Sequence, residues 1–194
     1  MNHLSTIKKN IEDAITLKER LLVDVGLHRS ISQVVDLLVD CFRGGGKVLF
    51  CGNGGSAADA QHLAAELSGR YYYDRPPLFA EALHVNTSNL TAVANDYSFE
   101  EVYARLVEAM GKPGDVLIGL STSGNSPNVV NAIKRGRDLN MLTVGFTGRG
   151  GGQMASVCNT LIEIPSSDTP RIQEGHILIG HTICQLVEAT LFPR

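Results

Sequence analysis

The first group in this sequence able to do chemistry is His62 with Glu66. Four positions apart on a helix, they share one face about a turn from each other. An imidazole and a carboxylate so related can hold a divalent metal or act as acid and base. An ordinary surface contact between them is the plain alternative. A second group opens the last helical stretch: Arg171, Gln173, Glu174, His176 and His181. His176 and His181 are five apart and point in different directions, so one faces a site while the other is packed or solvated. Asn95 and Asp96, after the helical piece 87–94, could contact a sugar or simply end a helix.

Two loops offer a place for an anion. Gly52-Asn53-Gly54-Gly55-Ser56 follows one apolar run and leads straight into a helix. Ser121-Thr122-Ser123-Gly124-Asn125-Ser126 follows another, with Ser126 suited to an N-cap and Pro127 to the first helical position. A helix N-terminus presents free N–H groups and the positive end of a dipole, which suits a phosphate. The hydroxyls of Ser121, Thr122, Ser123 and Ser126 would add donors. No Lys or Arg lies in the serine loop, so dipoles and hydroxyls would do the holding. Gly52-x-Gly54-x-x-Ala57 also fits a dinucleotide fingerprint, but the next strand ends His84-Val85-Asn86 without the acidic residue that fingerprint needs. No GK[ST] occurs either. The ligand expected is a phosphorylated small molecule.

These groups need elements to position them. Residues 4–43 predict two helices, with Ile7, Ile11, Ala14, Ile15, Leu17, Leu21 and Leu22 striping the first and Ile31, Val34, Val35, Leu38, Cys41 and Phe42 the second. Gly44-Gly45-Gly46 stops them. Five short apolar runs follow, 47–51, 78–85, 115–120, 142–146 and 160–164, alternating with helical stretches at 57–68, 99–110, 127–139 and 171–191. Strands alternating with helices predict βαβ units and a parallel sheet covered on both faces. The architecture expected is a single α/β domain over 1–194: a three-layer αβα sandwich with a five-stranded parallel sheet at 45–194, and an N-terminal helical appendage at 1–44. That amphipathic appendage is expected to pack between subunits. In the last helix, Ile172, Ile179, Ile183 and Leu186 form the expected buried stripe.

Composition narrows the function. With 43% hydrophobic residues and a net charge of -3, the chain lacks the basic face of a nucleic-acid binder. It has no apolar run long enough to span a membrane, and its N-terminus does not read as a signal peptide. Cys41, Cys51, Cys158 and Cys184 lie far apart with no CxxC, which fits buried thiols in a reducing cytoplasm. Glycine is in excess at 20 of 194, and Gly52, Gly54, Gly55, Gly124, Gly148, Gly150, Gly151 and Gly152 follow strand ends.

Taken together, CGNGGSAADAQHLAAEL, VANDYSFEEVYAR, GDVLIGLSTSGNSPNVV, GFTGRGGGQMA and DTPRIQEGHILIGHTICQLVE resemble the phosphoheptose isomerases of the SIS (sugar isomerase) family. The resemblance runs over essentially the whole chain and implies a flavodoxin-like αβα fold. It implies isomerisation of sedoheptulose 7-phosphate to D-glycero-D-manno-heptose 7-phosphate, the first step toward nucleotide-heptose for bacterial lipopolysaccharide. It also implies a homotetramer with active sites at subunit interfaces and one zinc per subunit. By motif, His62, Glu66, Gln173 and His181 would hold the zinc. Asn53, Gly54, Gly55, Ser56, Glu66, Asn95, Asp96, Ser121, Thr122, Ser123, Ser126 and Gln173 would hold the phosphorylated seven-carbon sugar, with Glu66 and His181 the acid–base pair. One point strains this set. Gln173 and His181 are separated by about 12 Å of helical rise, so Gln173 must precede or start the helix, or the ligands must come from different subunits.

Some members of the family are binding proteins, such as the DnaA initiator-associating protein, which this chain also resembles down to its closing TLFP. Those members typically lack the Glu and His found here at Glu66 and His181, which favours the enzyme. A SIS-type transcription regulator would need a helix-turn-helix module and a basic face, and neither is visible.

Overall fold

Asp24 divides the N-terminal helical region. Its carboxylate accepts a hydrogen bond from the Leu27 N–H at 2.9 Å, capping α2 (Val25–Arg43) just where α1 (His3–Val23) ends. The computed structural model describes residues 3–194. After the helical pair, strands β1 (Val48–Gly52), β2 (Ala80–Ala82), β3 (Val116–Ser121), β4 (Leu142–Thr147) and β5 (Thr160–Glu163) alternate with α3 (Gly55–Ser68), α4 (Thr87–Asp96), α5 (Val102–Met110), α6 (Pro127–Asp138) and α7 (Met154–Val157). A short 3-10 turn (Phe99–Glu101) leads into α5, and α8 (Thr169–Leu191) closes the chain.

The five strands form one parallel sheet in the order β2-β1-β3-β4-β5. The chain therefore runs outward from β1 to β2 and returns to β3 on the other side. Between the carboxyl ends of β1 and β3 lies the crevice where open α/β sheets bind ligands. Register sets the two ends side by side, with Gly52 opposite Leu120.

Strand alternation splits the core in two. Val48, Phe50, Ile118, Phe146 and Ile162 face α1, α2, α3 and α8, while Leu49, Cys51 and Leu117 face α4 to α7. Both faces are thus covered, as a parallel sheet requires. The family-type αβα sandwich is what the chain adopts. No helix among the described residues is long and apolar enough to cross a membrane.

Three local expectations are corrected. The second strand has three residues rather than eight: β2 is an edge strand with one neighbour, preceded by Pro76-Pro77 and turned aside after Ala82. Leu186 is 41% exposed, and Cys184 and Val187 complete the buried stripe of α8 instead. On α1, expected to pack between subunits, Leu17 and Leu21 are buried, while Ile7, Ile11, Ile15 and Leu22 are exposed. Cys158 is half-buried, unlike the three other thiols.

Candidate active site

The first loop and the serine loop flank the crevice and are joined to each other. Asn53 and Asn128 exchange amide hydrogen bonds, Nδ2 to Oδ1 at 2.8 Å one way and 2.9 Å the other. Asn128, at the start of α6, is fully buried, and its Oδ1 also accepts from the Val129 N–H. The Asn53 side chain, expected on the substrate, gives one N–H and one oxygen lone pair to bracing, which leaves one of each for a ligand. Asn128 gave no signal in the sequence, since a turn-favouring Asn after Pro127 looks like any other.

Within the serine loop the hydroxyls cluster. Ser121 Oγ lies 2.9 Å from Ser126 Oγ and 3.4 Å from Ser123 Oγ. Ser126 occupies the N-cap of α6 and Pro127 follows it, but the Ser126 hydroxyl turns to Ser121 and makes no capping bond. Pro127 has no N–H, the Val129 N–H goes to the Asn128 side chain and the Val130 N–H to the Ser126 carbonyl, so in the first turn of α6 it is the Asn128 N–H that stays open. Ser123 Oγ accepts from the Asn125 N–H, and the half-buried Thr122 supplies its carbonyl to the Gly148 N–H. Gly124 carries φ +65°, and a Cβ there would collide with the Gly151 carbonyl oxygen. The serine loop and the glycine loop after β4 are thus in van der Waals contact.

Two helices bring the reactive group together. α3 and α8 lie side by side and run in the same direction: a Cβ on Gly55 would collide with Gln173 Nε2, and one on Gly180 would meet Leu63 Cδ1 at 2.5 Å. That parallel register sets His62 and Glu66 opposite His181. His62 Nε2 lies 2.8 Å from His181 Nε2 and 3.4 Å from Glu66 Oε1, and the two imidazole rings meet edge to face. One ligand atom from each of the three falls within 4.8 Å of the others. Two imidazoles and a carboxylate converging on a point, all accessible to solvent, are a group that could hold a metal ion.

Asp59, one turn before His62 on α3, joins the edge of this group. Burial pushes its carboxyl above the usual range, and His62 and His181 draw it partly back; its Oδ2 is buried without a partner. In the sequence its one signal is a carboxylate three positions before His62, on the same face of the helix. Of the two histidines in α8, His181 faces the site and His176 is packed, fully buried against Phe146 with Nε2 on the Thr147 carbonyl.

Gln173 stands apart from the three. It is the fifth residue of α8, inside the helix, and its amide lies against Gly55 in the first loop. Of the two ways to put Gln173 and His181 on one metal, a place before the helix is closed. Ser56 is buried at the start of α3. Asn95 and Asp96 are the last residues of α4, exposed, with the Asn95 amide donating to the Asp96 carboxylate at 2.9 Å; no hydrogen bond links them to either loop.

Comparison with known proteins matches the SIS domain to residues 11–148. A phosphoheptose isomerase from Aneurinibacillus thermoaerophilus is 48% identical over 96% of this chain and 94% of its own. Phosphoheptose isomerase 1 from Campylobacter jejuni is 56% identical over 84% of this chain and 87% of its own. Among solved structures, the phosphoheptose isomerase GmhA from Neisseria gonorrhoeae superposes with a TM-score of 0.89 at 40% identity, covering 96% of this chain and 98% of that one. A phosphoheptose isomerase from Francisella tularensis gives 0.92 at 35% identity with the same coverage.

Proposed function

The chain belongs to the SIS domain family, and from that premise we propose that it isomerises sedoheptulose 7-phosphate to D-glycero-D-manno-heptose 7-phosphate. The observation that carries this reading is the convergence of His62, Glu66 and His181 beside two phosphate-type loops, in a chain 48% identical to a phosphoheptose isomerase over nearly its whole length.

A ketose–aldose isomerase moves one proton between C1 and C2 and another between the two oxygens, through an enediol. In our reading Glu66 takes the proton from C1 while His181 protonates the C2 oxygen. His181 then receives the proton of the C1 hydroxyl as Glu66 returns a proton to C2. No net oxidation occurs and no atom is lost. The serine loop and the Asn128 N–H at the start of α6 bind the phosphate, and that remote binding holds the reacting carbons in place. Gly55 and His62 are about 10 Å apart along α3, which suits a substrate whose phosphate sits at the far end of an extended chain from C1.

His62, Glu66 and His181 fit a zinc ion. Held there, it would polarise the substrate carbonyl and stabilise negative charge on oxygen. Glu66 and His181 each have a second polar atom, a carboxylate oxygen and a ring nitrogen, left for the substrate. Gln173 would complete the ligand set only from another subunit; from its own chain it serves the sugar at the first loop, with Gly54, Gly55 and Ser56. Asn95 and Asp96 would reach a sugar in the same composite fashion.

We read the assembly as a homotetramer with sites between subunits. Support comes from the exposed Ile7, Ile11, Ile15 and Leu22, and from an apolar groove of about 520 Å³ between α1, α2 and α8 lined by Leu22, Ile31 and Leu178. An exposed apolar surface of this kind marks an interface. The reading includes a cytoplasmic location and a product used for lipopolysaccharide.

The deciding experiment is turnover of sedoheptulose 7-phosphate by the wild type, with and without chelator, and by Glu66→Gln and His181→Ala. Turnover in the wild type and its loss in both variants are expected. No turnover with metal restored would instead favour the binding-protein reading.

A further inference from the structure

Near the His62–Glu66–His181 group lies a buried ion pair that the proton transfers above do not use. The side chains of Arg75 and Glu188 are each 1% exposed, with Nε and Oε2 3.1 Å apart. Two charges taken out of water are costly unless their remaining hydrogen-bonding positions are filled. Here they are filled, and by the segments that carry the site. Arg75 Nη1 donates to the carbonyls of Leu67 (2.7 Å), Gly69 (3.1 Å) and Pro76 (3.1 Å), and Nη2 to the carbonyl of Glu66 itself (2.9 Å). Glu66 and Leu67 belong to the last turn of α3, whose carbonyls lack helical partners and whose own sequence there has no basic residue. A cation at that point also meets the negative end of the helix dipole.

Glu188 holds the other side. Its two oxygens accept the N–H groups of Tyr72 (2.7 Å) and Tyr71 (2.8 Å). Burial pushes its carboxyl up, but these two bonds and Arg75 outweigh it and hold the group below the usual range. With its backbone fixed in this way, the Tyr71 ring sits 5.8 Å from that of His181 and meets Tyr72 edge-on at 4.6 Å. One ion pair therefore ties together the helix bearing His62 and Glu66, the helix bearing His181, and the strap that lays an aromatic ring on His181.

Stability does not account for this arrangement, because apolar residues of similar volume often serve a core as well as a buried ion pair. Such residues would lack the directional bonds. We propose that Arg75 and Glu188 are positioning residues, setting the reach of Glu66 and His181 across the gap between α3 and α8 and seating Tyr71 on His181. As a statement about the reaction this rests on the isomerase reading; as a statement about the three-residue group it does not.

The test compares Glu188→Gln with Asp115→Asn. Asp115 belongs to a second buried ion pair, 2.5 Å from Lys47, just before β3 and away from the site. The readouts are Tm, the kcat and KM for sedoheptulose 7-phosphate, and cobalt(II) affinity from the visible absorption of the bound ion. Glu188→Gln is expected to lower kcat about tenfold or more, to leave KM within about threefold, and to weaken cobalt binding about tenfold. Asp115→Asn should lower Tm while keeping kcat and cobalt affinity at the wild-type level. A Glu188→Gln protein that loses only Tm overturns the proposal. Should the wild type show no turnover, the isomerase reading fails and cobalt affinity alone decides the positioning role. Should Glu188→Gln not fold, Tyr71→Leu carries the test with the ion pair intact: the same split is expected, and wild-type kcat and cobalt affinity overturn the proposal.

Discussion

Acidification from pH 7 to pH 5 is expected to cost this protein about 2 kcal/mol of stability through one residue, His176. Its ring is fully buried between α8 and β4, and the Thr147 carbonyl 3.1 Å from Nε2 can only accept, which fixes the neutral tautomer with the proton on Nε2. Nδ1 has no partner. Burial pushes the imidazole down from 6.5 to about 4, with the Thr147 carbonyl pulling slightly the other way. The folded value lies below the unfolded one, so the unfolded chain takes up the proton first. The stability contributed by the neutral ring is full above about pH 6.5 and is lost as pH falls toward about 4. At about 1.4 kcal/mol per pKa unit the whole loss is about 3 kcal/mol, of which about 2 falls between pH 7 and pH 5. The assay is urea unfolding at fixed protein concentration, at both pH values, for the wild type and His176→Phe. The variant is less stable throughout, having lost the bond to Thr147, but its curve should be flatter by about 2 kcal/mol. Glu188 is common to both proteins and cancels in the difference. Equal losses in the two proteins would refute the reasoning.

Three further outcomes are expected. Gly180→Ala drives a Cβ to 2.5 Å from the buried Leu63, prising α8 from α3; it should cost about 1–3 kcal/mol in thermal unfolding and weaken cobalt binding as well. Gly124→Ala meets both a positive φ and the Gly151 carbonyl, so it should raise KM for the phosphosugar about tenfold or more with a smaller change in kcat, and abolish thermal stabilisation by inorganic phosphate. Ile11→Glu with Leu22→Glu puts charge on the exposed stripe of α1; if that stripe is an interface, light scattering should show a mass below that of the wild type, and an unchanged mass would remove the stripe from any interface.

Much of this molecule was legible in its residues. The βαβ alternation, the five strands and the two carboxyl-end loops follow from period, β-branched runs and Gly/Ser punctuation, all of which are local signals. The i, i+4 relation of His62 and Glu66 is local too. What brings His181 to them is not, because it depends on the parallel register of α3 and α8, set by Gly55 and Gly180 where no side chain intervenes. Long-range pairing also explains the unforeseen partners: Asn128 with Asn53, and Arg75 with Glu188, are each ordinary in sequence and specific only across the fold. Leu186 failed as a buried residue for a related reason. Helical periodicity shows which face is apolar, but not whether its partner lies in the same chain.

The contact between Gly124 and Gly151 has a consequence for redesign. The Met154 N–H donates to the Gly124 carbonyl, the Gly148 N–H to Thr122, and the Gln153 N–H to the Asn125 side chain, so the strap after β4 supports the serine loop from behind. A specificity graft that moved residues 121–126 alone would seat them on a foreign backing and lose their shape. The transplantable module is 121–126 together with 148–154, two segments far apart on the chain that would have to be exchanged as one.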